Sequence, residues 1–208
     1  MRDTRQRIVE AAMELFWLKG YGSTSIADIL SRSQVNSGSL YHYFPGKQDL
    51  LVAVLESYRD NIGPMLLEPA WEGVDDPIER IFGLLDRYRQ LIVDTECGYG
   101  CPIGSLALEL HEPDPLVRER IAENFDAWTA AVRGCLEEAA DRLPADTDPR
   151  PLAEFILTVM EGAVMQARTH RDVGYFDRSV AQLRTHFHAL TARETASAQT
   201  GRGVQCPT

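Results

Sequence analysis

The sequence predicts an all-α protein of about nine helices. Apolar side chains recur at intervals of three and four residues through most of the chain, which is the period of a helix with one buried face. No stretch alternates apolar and polar residues as a half-buried strand would, and glycines, prolines and capping residues divide the chain into segments of helical length. We expect two domains, residues 1–60 and 61–195, and a disordered tail at 196–208 that is rich in small and polar residues.

The first helix is predicted from about Arg5 to Lys19. One face carries a repeating apolar stripe, and Gly20 is a natural end for the helix because glycine tolerates left-handed backbone conformations. We expect this helix to brace the short helices that follow it. The stripe consists of Ile8, Ala11, Ala12, Leu15 and Phe16.

Two short helices joined by a tight turn are predicted within residues 24–47. Ser25 and Asp28 have the spacing of a capping box, in which each side chain accepts a hydrogen bond from the other residue's backbone N–H. Asn36 is a favourable cap for the second helix, which we expect over Ser37–Tyr43. This helix should stop there because the residue before a proline is pushed out of the helical region.

The second short helix has a composition that suits DNA. Its first turn, residues 37–39, is made of Ser, Gly and Ser, and so it could approach base edges in the major groove closely. The hydroxyl, imidazole and ammonium groups around it suit phosphate oxygens. A small helical hairpin buried in a larger all-helical protein would show the same pattern, so both interpretations remain open here. The predicted DNA-binding residues are Thr24, Ser25, Asn36, Ser37, Gly38, Ser39, Tyr41, His42, Tyr43 and Lys47.

The remaining chain is predicted to form six more helices. One begins near Lys47 and ends at the Asn-Ile-Gly-Pro sequence of residues 61–64, which marks the domain boundary. The region from there to Asp76 is predicted to be irregular. The helices of the C-terminal domain are expected near residues 78–92, 103–111, 115–143, 149–167 and 177–193.

The charge distribution is unusual for a protein that binds nucleic acid. The net charge is −10, and residues 1–60 carry seven basic and seven acidic side chains. Beyond residue 60, 14 arginines stand against 24 acidic side chains. A neutral N-terminal domain implies weak non-specific binding, so specific contacts and their doubling in a dimer must supply the affinity.

Residues 5–58 resemble the DNA-binding domain of the TetR family of transcriptional regulators. Two departures from the family pattern are Leu30, where a small Ala is usual, and Gln34, where Gly is usual in the turn. A positive φ at Gln34 would strain the turn. The matching segments are Phe16-Trp17-Leu18-Lys19-Gly20-Tyr21, Thr24-Ser25-Ile26-Ala27-Asp28-Ile29, Val35-Asn36-Ser37-Gly38-Ser39-Leu40-Tyr41-His42-Tyr43-Phe44 and Lys47-Gln48-Asp49-Leu50-Leu51.

This resemblance implies a ligand-responsive regulator, in most cases a repressor, that binds palindromic double-stranded operator DNA as a homodimer. It assigns DNA binding to residues 1–60, and effector binding and dimerisation to residues 61–195. The last two long helices are expected to pair with their symmetry mates in a four-helix interface. The predicted interface residues are Phe155, Val159, Ala163, Leu183, Phe187 and Leu190.

A pocket for a small lipophilic effector is expected in the C-terminal domain, since small-molecule sites are mostly apolar with few polar groups. Each aromatic or methionine residue of the candidate set would also fit a plain packed core, and this alternative remains open. The predicted lining residues are Tyr88, Cys101, Leu106, His111, Phe125, Trp128, Met160, Glu161 and Met165.

Cys101 suggests a second kind of signal. The segment 101–110 resembles a motif in one TetR subgroup, in some members of which the cysteine senses electrophiles or oxidants. A helix start lowers a thiol pKa in general, and Cys97 could act as the resolving thiol. The alternatives are a small residue that packs a loop, and a zinc site, for which the spacing of Cys97 and Cys101 fits no standard pattern.

Other functional classes have little support in the sequence. No apolar run is long enough to span a membrane and no signal-peptide pattern is present, so we expect a cytoplasmic protein. We predict no metal site, cofactor or catalytic residue, because the chain lacks a Gly-rich phosphate loop, an HExxH sequence and a nucleophile elbow. An all-helical enzyme or interaction module without DNA binding remains the alternative from another class.

Overall fold

The computed structural model describes residues 3–201, and every regular element in that range is helical. Ten α-helices occur there, together with a π-helical turn at Gly63–Leu67 and a 3-10 turn at Ala140–Arg142. The all-α prediction is therefore confirmed for the described residues. The helices are α1 Thr4–Lys19, α2 Ile26–Ser33, α3 Ser37–Tyr43, α4 Lys47–Asp60, α5 Glu68–Trp71, α6 Pro77–Asp94, α7 Pro102–Glu109, α8 Pro115–Glu138, α9 Pro149–His170 and α10 Gly174–Gly201.

The chain forms two compact units. Within the described residues, the N-terminal unit combines 3–65 with 99–127, and the C-terminal unit combines 66–98 with 128–201. The compact unit that contains the short helices therefore also includes α7 and the first half of α8. The division into functional domains near residue 60 stays a prediction.

In the N-terminal unit, α1 packs against α2, α3, α4 and α7. Its apolar stripe is buried as predicted, and burial of such side chains is the main favourable contribution to folding. The α8 segment is joined to α4 by polar contacts as well. The buried Asn124 amide donates to the Leu55 carbonyl oxygen at 3.0 Å, and the Arg59 guanidinium donates to Glu123 at 2.5 Å. The short helices α2 and α3, which pack on α1, and residues 99–127 thus belong to one compact unit.

In the C-terminal unit, α6, α9 and α10 pack around one apolar centre. Phe82 of α6 and Phe187 of α10 are each 1% exposed, and their rings meet edge to face with centroids 5.6 Å apart. The Arg184 guanidinium also lies over the Phe82 ring, 3.9 Å from its centre. The stripe at Leu183 and Phe187 of α10 is therefore part of the core of its own protomer.

Two predicted boundaries need correction. The region before Asp76 is not irregular throughout, because it contains the π-helical turn and α5, and the Trp71 indole donates to the Arg80 carbonyl oxygen at 3.0 Å. The last helix does not stop near Arg193, since α10 continues to Gly201. The remainder of the predicted tail, residues 202–208 with Cys206, lies outside the described residues.

Within residues 3–201 no helix is both long and apolar enough to cross a membrane. In the same range, no group of three or more His, Cys, Asp or Glu side chains is placed to hold a metal ion.

Candidate nucleic-acid interface

The turn between α2 and α3 is tight and has a left-handed residue. Gln34 has φ 54° and ψ 42°, so the positive φ considered from the sequence is present at a residue that has a Cβ atom. The Arg7 guanidinium of α1 donates to the carbonyl oxygens of Ser33 at 2.5 Å and Gln34 at 3.1 Å. Arg7 therefore stabilises the turn from α1, a role that the sequence did not indicate.

Both short helices begin at the predicted caps. The Ser25 hydroxyl oxygen accepts from the Asp28 N–H at 3.1 Å, and the Asp28 carboxylate accepts from the Ser25 N–H at 2.9 Å, which confirms the capping box. The Asn36 side-chain oxygen accepts from the Ser39 N–H at 2.8 Å and so caps α3. The Asn36 oxygen is thus engaged at the start of α3, where it orients the first turn.

α3 is anchored by one face and exposes the other. Leu40 is fully buried and Phe44, directly after the helix, is 3% exposed, while Ser37, Gly38, Tyr41, His42 and Tyr43 are exposed and Ser39 is half-buried. The exposed side is thus the one that carries the predicted DNA-binding residues of this helix. Its polar groups are hydroxyls and an imidazole, which can donate to and accept from base edges and phosphates.

Gly38 is not required by the packing of the protein itself. A Cβ atom at this position would come close only to the Asn36 side-chain oxygen, at 3.4 Å. The absence of a side chain there leaves the outer surface of the first turn low and accessible. This geometry suits a helix whose N-terminal turn must approach base edges.

The predicted phosphate contact of Thr24 needs correction. Thr24 is 1% exposed, and its hydroxyl donates to the carbonyl oxygens of Gly20 at 2.8 Å and Leu15 at 3.2 Å. The hydroxyl therefore closes the C-terminal end of α1 and cannot reach a DNA backbone without unfolding that end. Ser25, next to it, is exposed.

Lys47, the first residue of α4, lies against an aromatic ring. Its ammonium nitrogen is 4.2 Å from the centre of the Tyr21 ring, within the range of a cation–π contact. Partial burial lowers the pKa of the Lys47 ammonium, and the nearby charge of Glu109 acts in the opposite direction. The ammonium group is thus held in one place by neighbours from outside its own helix.

Comparison with known proteins identifies the family. Residues 8–54 match the family described as bacterial regulatory proteins, tetR family, and residues 77–183 match the tetracyclin repressor-like C-terminal domain. The chain belongs to the TetR family. The resemblance found in residues 5–58 thus extends through both parts of the chain.

Relatives in the TetR family cover nearly the whole chain. A helix-turn-helix-type transcriptional regulator of Mycobacterium tuberculosis strain H37Rv is 31% identical, over 88% of this chain and 94% of its own length. The transcriptional repressor DhaR of Mycobacterium sp. strain GP1 is 26% identical, over 81% of this chain and 84% of its own. The crystal structure of regulatory protein TetR from Rhodobacter sphaeroides has a TM-score of 0.79 and 27% identity, with 87% of this chain and 97% of that chain covered.

The effector residues predicted from the sequence fall into both compact units. Tyr88, Trp128 and Met160 are buried in the C-terminal unit, and Glu161 is half-buried there. Cys101, Leu106, His111 and Phe125 belong to the N-terminal unit, where Cys101 and Leu106 are buried and Phe125 is half-buried. The single pocket that would join these residues stays a prediction.

Two of the predicted effector residues lie on the surface, where they cannot line a buried pocket. Met165 is 47% exposed, on the face of α9 opposite its buried residues, and His111 is exposed beyond the end of α7. The predicted roles of Met165 and His111 in effector binding are corrected accordingly.

Cys101 is the residue directly before α7 and is 7% exposed, and its side chain makes no capping hydrogen bond to the helix. It lies near Tyr58: burial raises the pKa of the Tyr58 phenol above its usual range, and the neighbouring Cys101 acts in the same direction. A buried thiol is poorly accessible to a reagent in solution. The thiol-sensing hypothesis therefore has no support from exposure.

Half of the predicted dimer residues are enclosed within one protomer. Ala163, Leu183 and Phe187 are at most 3% exposed, so they cannot form a surface for a second chain, and their assignment is corrected. Phe155 is 48% exposed, while Val159 and Leu190 are half-buried. The helical period of the α10 stripe is as predicted, but the stripe faces α6 and α9.

Proposed function

We propose that this TetR-family regulator is a ligand-responsive repressor that binds palindromic operator DNA as a homodimer. The observation that carries the proposal is α3, a capped helix with a buried anchor and an exposed polar face whose first turn is small. A homodimer would place two such helices in successive major grooves, which doubles the contacts of a nearly neutral domain. The sign of regulation is proposed from the family and from DhaR, a repressor. Because bacterial DNA lies in the cytoplasm, a protein that binds operator DNA would act there.

We assign the DNA contacts by position on this surface. The first turn of α3, residues 37–39, would contact base edges, and the outward side chains of Ser25, Tyr41, His42 and Lys47 would contact phosphates on either side. Tyr43 lies at the end of the same helix and borders this surface. Asn36 acts through its cap and orients the first turn.

Replacing Lys47 by Ala tests the phosphate assignment. We expect weaker binding to all DNA sequences, because the variant lacks the ammonium group that pairs with one phosphate. The magnitude of the slope of log affinity against log salt concentration should decrease by about one for the same reason. Fluorescence anisotropy with a labelled duplex at several salt concentrations measures both quantities. Arg150→Ala removes the same charge from an exposed side chain of α9 and is the control. An unchanged slope in Lys47→Ala would show that Lys47 does not contact phosphate.

We propose that the dimer forms through the outer face of α9 and the adjoining part of α10. Phe155, Thr158, Gly162 and Met165 follow one another at helical spacing, and all but the half-buried Gly162 are exposed. A Cβ atom at Gly162 would meet nothing within 4 Å, so the glycine leaves space for a partner helix to approach. The Phe155 ring contacts His186 of α10 with centroids 6.1 Å apart, which continues the face onto that helix.

We propose a reversible effector with a mostly apolar body and at least one hydrogen-bond acceptor. The Trp128 side chain is 3% exposed, and within residues 3–201 its indole N–H meets no acceptor. A buried donor that lacks a partner costs free energy, and an effector that supplies an acceptor would recover it. Such a molecule would act by favouring a conformer that no longer matches successive grooves.

A thiol reagent separates reversible binding from covalent sensing. We expect N-ethylmaleimide to have the same effect on operator complexes of the wild type and of Cys101→Ser, since the thiol is buried. Cys135→Ser is the control, because Cys135 is 2% exposed and burial raises the pKa of its thiol to about 11, so that little thiolate is available to react. Release of DNA from the wild type and Cys135→Ser but not from Cys101→Ser would establish Cys101 as the sensor.

A further inference from the structure

Glu109, the last residue of α7, binds the turn that follows α1. Its two carboxylate oxygens accept from the backbone N–H groups of Tyr21 at 2.9 Å and Gly22 at 2.5 Å. Each is a hydrogen bond to a charged acceptor, which is stronger than one between neutral groups. The two residues are separated from Glu109 by 88 and 87 positions in the chain, and all three belong to the N-terminal compact unit.

The glycines of this turn leave room for the carboxylate. Gly20 has φ 85°, a value that favours glycine, and a Cβ atom there would stand 2.9 Å from a Glu109 oxygen. A Cβ atom at Gly22 would stand 3.0 Å from the other oxygen. Any larger residue at Gly22 would therefore displace the end of the Glu109 side chain.

The turn that Glu109 binds includes Tyr21, whose ring contacts the Lys47 ammonium group. The Tyr21 backbone binds the carboxylate, and the Tyr21 ring packs edge to face on Phe16 with centroids 5.2 Å apart. The other partner of that ring is the Lys47 ammonium, at 4.2 Å. A chain of contacts thus runs from α7 through Tyr21 to the residue assigned to phosphate.

The opposite end of α7 is joined to α1 as well. The Trp17 indole donates to the carbonyl oxygen of Gly100 at 2.8 Å, and its ring lies 5.0 Å from that of Tyr99. α7 therefore has one polar attachment to the region around α1 just before its start and another at its last residue. The second attachment is the one that leads to Lys47.

We propose that Glu109 is a positioning residue for DNA binding, which holds the turn at residues 20–22 so that Tyr21 presents the Lys47 ammonium to a phosphate. The proposal rests on the proposed phosphate contact of Lys47. It opposes the simple electrostatic expectation, in which removing an acidic side chain beside DNA strengthens binding. Glu109 raises DNA affinity although its charge has the unfavourable sign.

The test uses full-length protein and a labelled duplex selected by the wild type from a random-sequence library. Anisotropy titrations at several salt concentrations compare the wild type with Glu109→Ala, Gly22→Ala, Lys47→Ala and the double variants. Glu112→Ala removes the same charge from an exposed side chain three residues on and is the matched control. Thermal melts of each variant report whether the protein folds.

We expect Glu109→Ala to lower affinity by about ten-fold, the order of one hydrogen bond to a charged group, and to reduce the salt slope as Lys47→Ala does. In the Lys47→Ala background, Glu109→Ala should add little, because the two residues act through one contact. Gly22→Ala should lower affinity when Glu109 is present, since the added methyl group displaces the Glu109 carboxylate. It should add little in the Glu109→Ala background, where that carboxylate is already absent. Glu112→Ala should not lower affinity.

Three results would overturn the proposal. An increase in affinity for Glu109→Ala would show that the residue acts only as a charge. If Lys47→Ala lowers affinity by itself and the effects of Glu109→Ala and Lys47→Ala are fully additive, the phosphate contact of Lys47 is retained. The proposal that Glu109 acts on DNA binding through Lys47 is then excluded. An inert Lys47→Ala would remove the phosphate contact itself, and with it the positioning role. If Glu109→Ala does not fold, Gly22→Ala gives the same comparison with Lys47.

Discussion

Phe155→Glu combined with Met165→Glu is expected to convert the proposed dimer to a monomer and to lower operator affinity by at least about a hundred-fold. The two side chains are 48% and 47% exposed on the outer face of α9, so charges there leave the protomer folded and would repel their symmetry mates. A monomer contacts one half-site and lacks the second set of groove contacts. Size-exclusion chromatography with light scattering, followed by anisotropy on the operator, measures both effects.

The matched control changes two exposed leucines elsewhere. Leu108 and Leu116 are 66% and 41% exposed, and their replacement by Glu adds the same charge to a surface that we do not assign to the dimer. This variant should remain a dimer with operator affinity within a few-fold of the wild type. A dimer that survives Phe155→Glu with Met165→Glu would place the interface on another surface.

Phe187→Ala is expected to lower the free energy of unfolding by about 3–5 kcal/mol, the usual cost of truncating a buried phenylalanine. Phe187 is 1% exposed and packs edge to face on Phe82, so the smaller side chain leaves a cavity between α6 and α10. Urea denaturation at fixed protomer concentration measures the change, since the stability of the proposed dimer would depend on concentration. Leu108→Ala, at an exposed position, should change stability by less than about 1 kcal/mol.

The same variant tests the placement of Phe187 in the core of its own protomer. A decrease in the free energy of unfolding of less than about 1 kcal/mol would contradict that placement. A large decrease in stability places it in the core, where the contact with Phe82 puts it.

Local features such as helix caps can be predicted from the sequence with single-residue accuracy. Ser25 and Asp28, and Asn36 before α3, satisfy the N-terminal N–H groups of a helix within three residues, so the physical cause lies within the motif itself. The positive φ at Gln34 follows from the family pattern and has the same local character. These features fix the candidate DNA surface, which is why the predicted bounds of α3, Ser37 and Tyr43, agree with the structure.

Long-range contacts are not predictable in this way. Thr24 has a hydroxyl suited to phosphate, but its two acceptors are carbonyl oxygens at the end of α1, and no pattern in the sequence reveals that geometry. The apolar period of α10 shows which face of the helix is apolar. It does not show whether that face packs on the same protomer or on a second one. Glu109 lies 88 residues from Tyr21, so its role follows only from the fold.

The most direct test of the account is the DNA sequence that the full-length protein selects, together with its hydroxyl-radical footprint. Selection from random duplexes followed by footprinting should return an inverted repeat with two protected segments on one face of the duplex. Their centres should be separated by about one helical turn or a multiple of it, since two α3 helices would occupy corresponding major grooves. A single protected segment without symmetry, or selection of no preferred sequence, would contradict the proposal of a homodimer that reads DNA through α3.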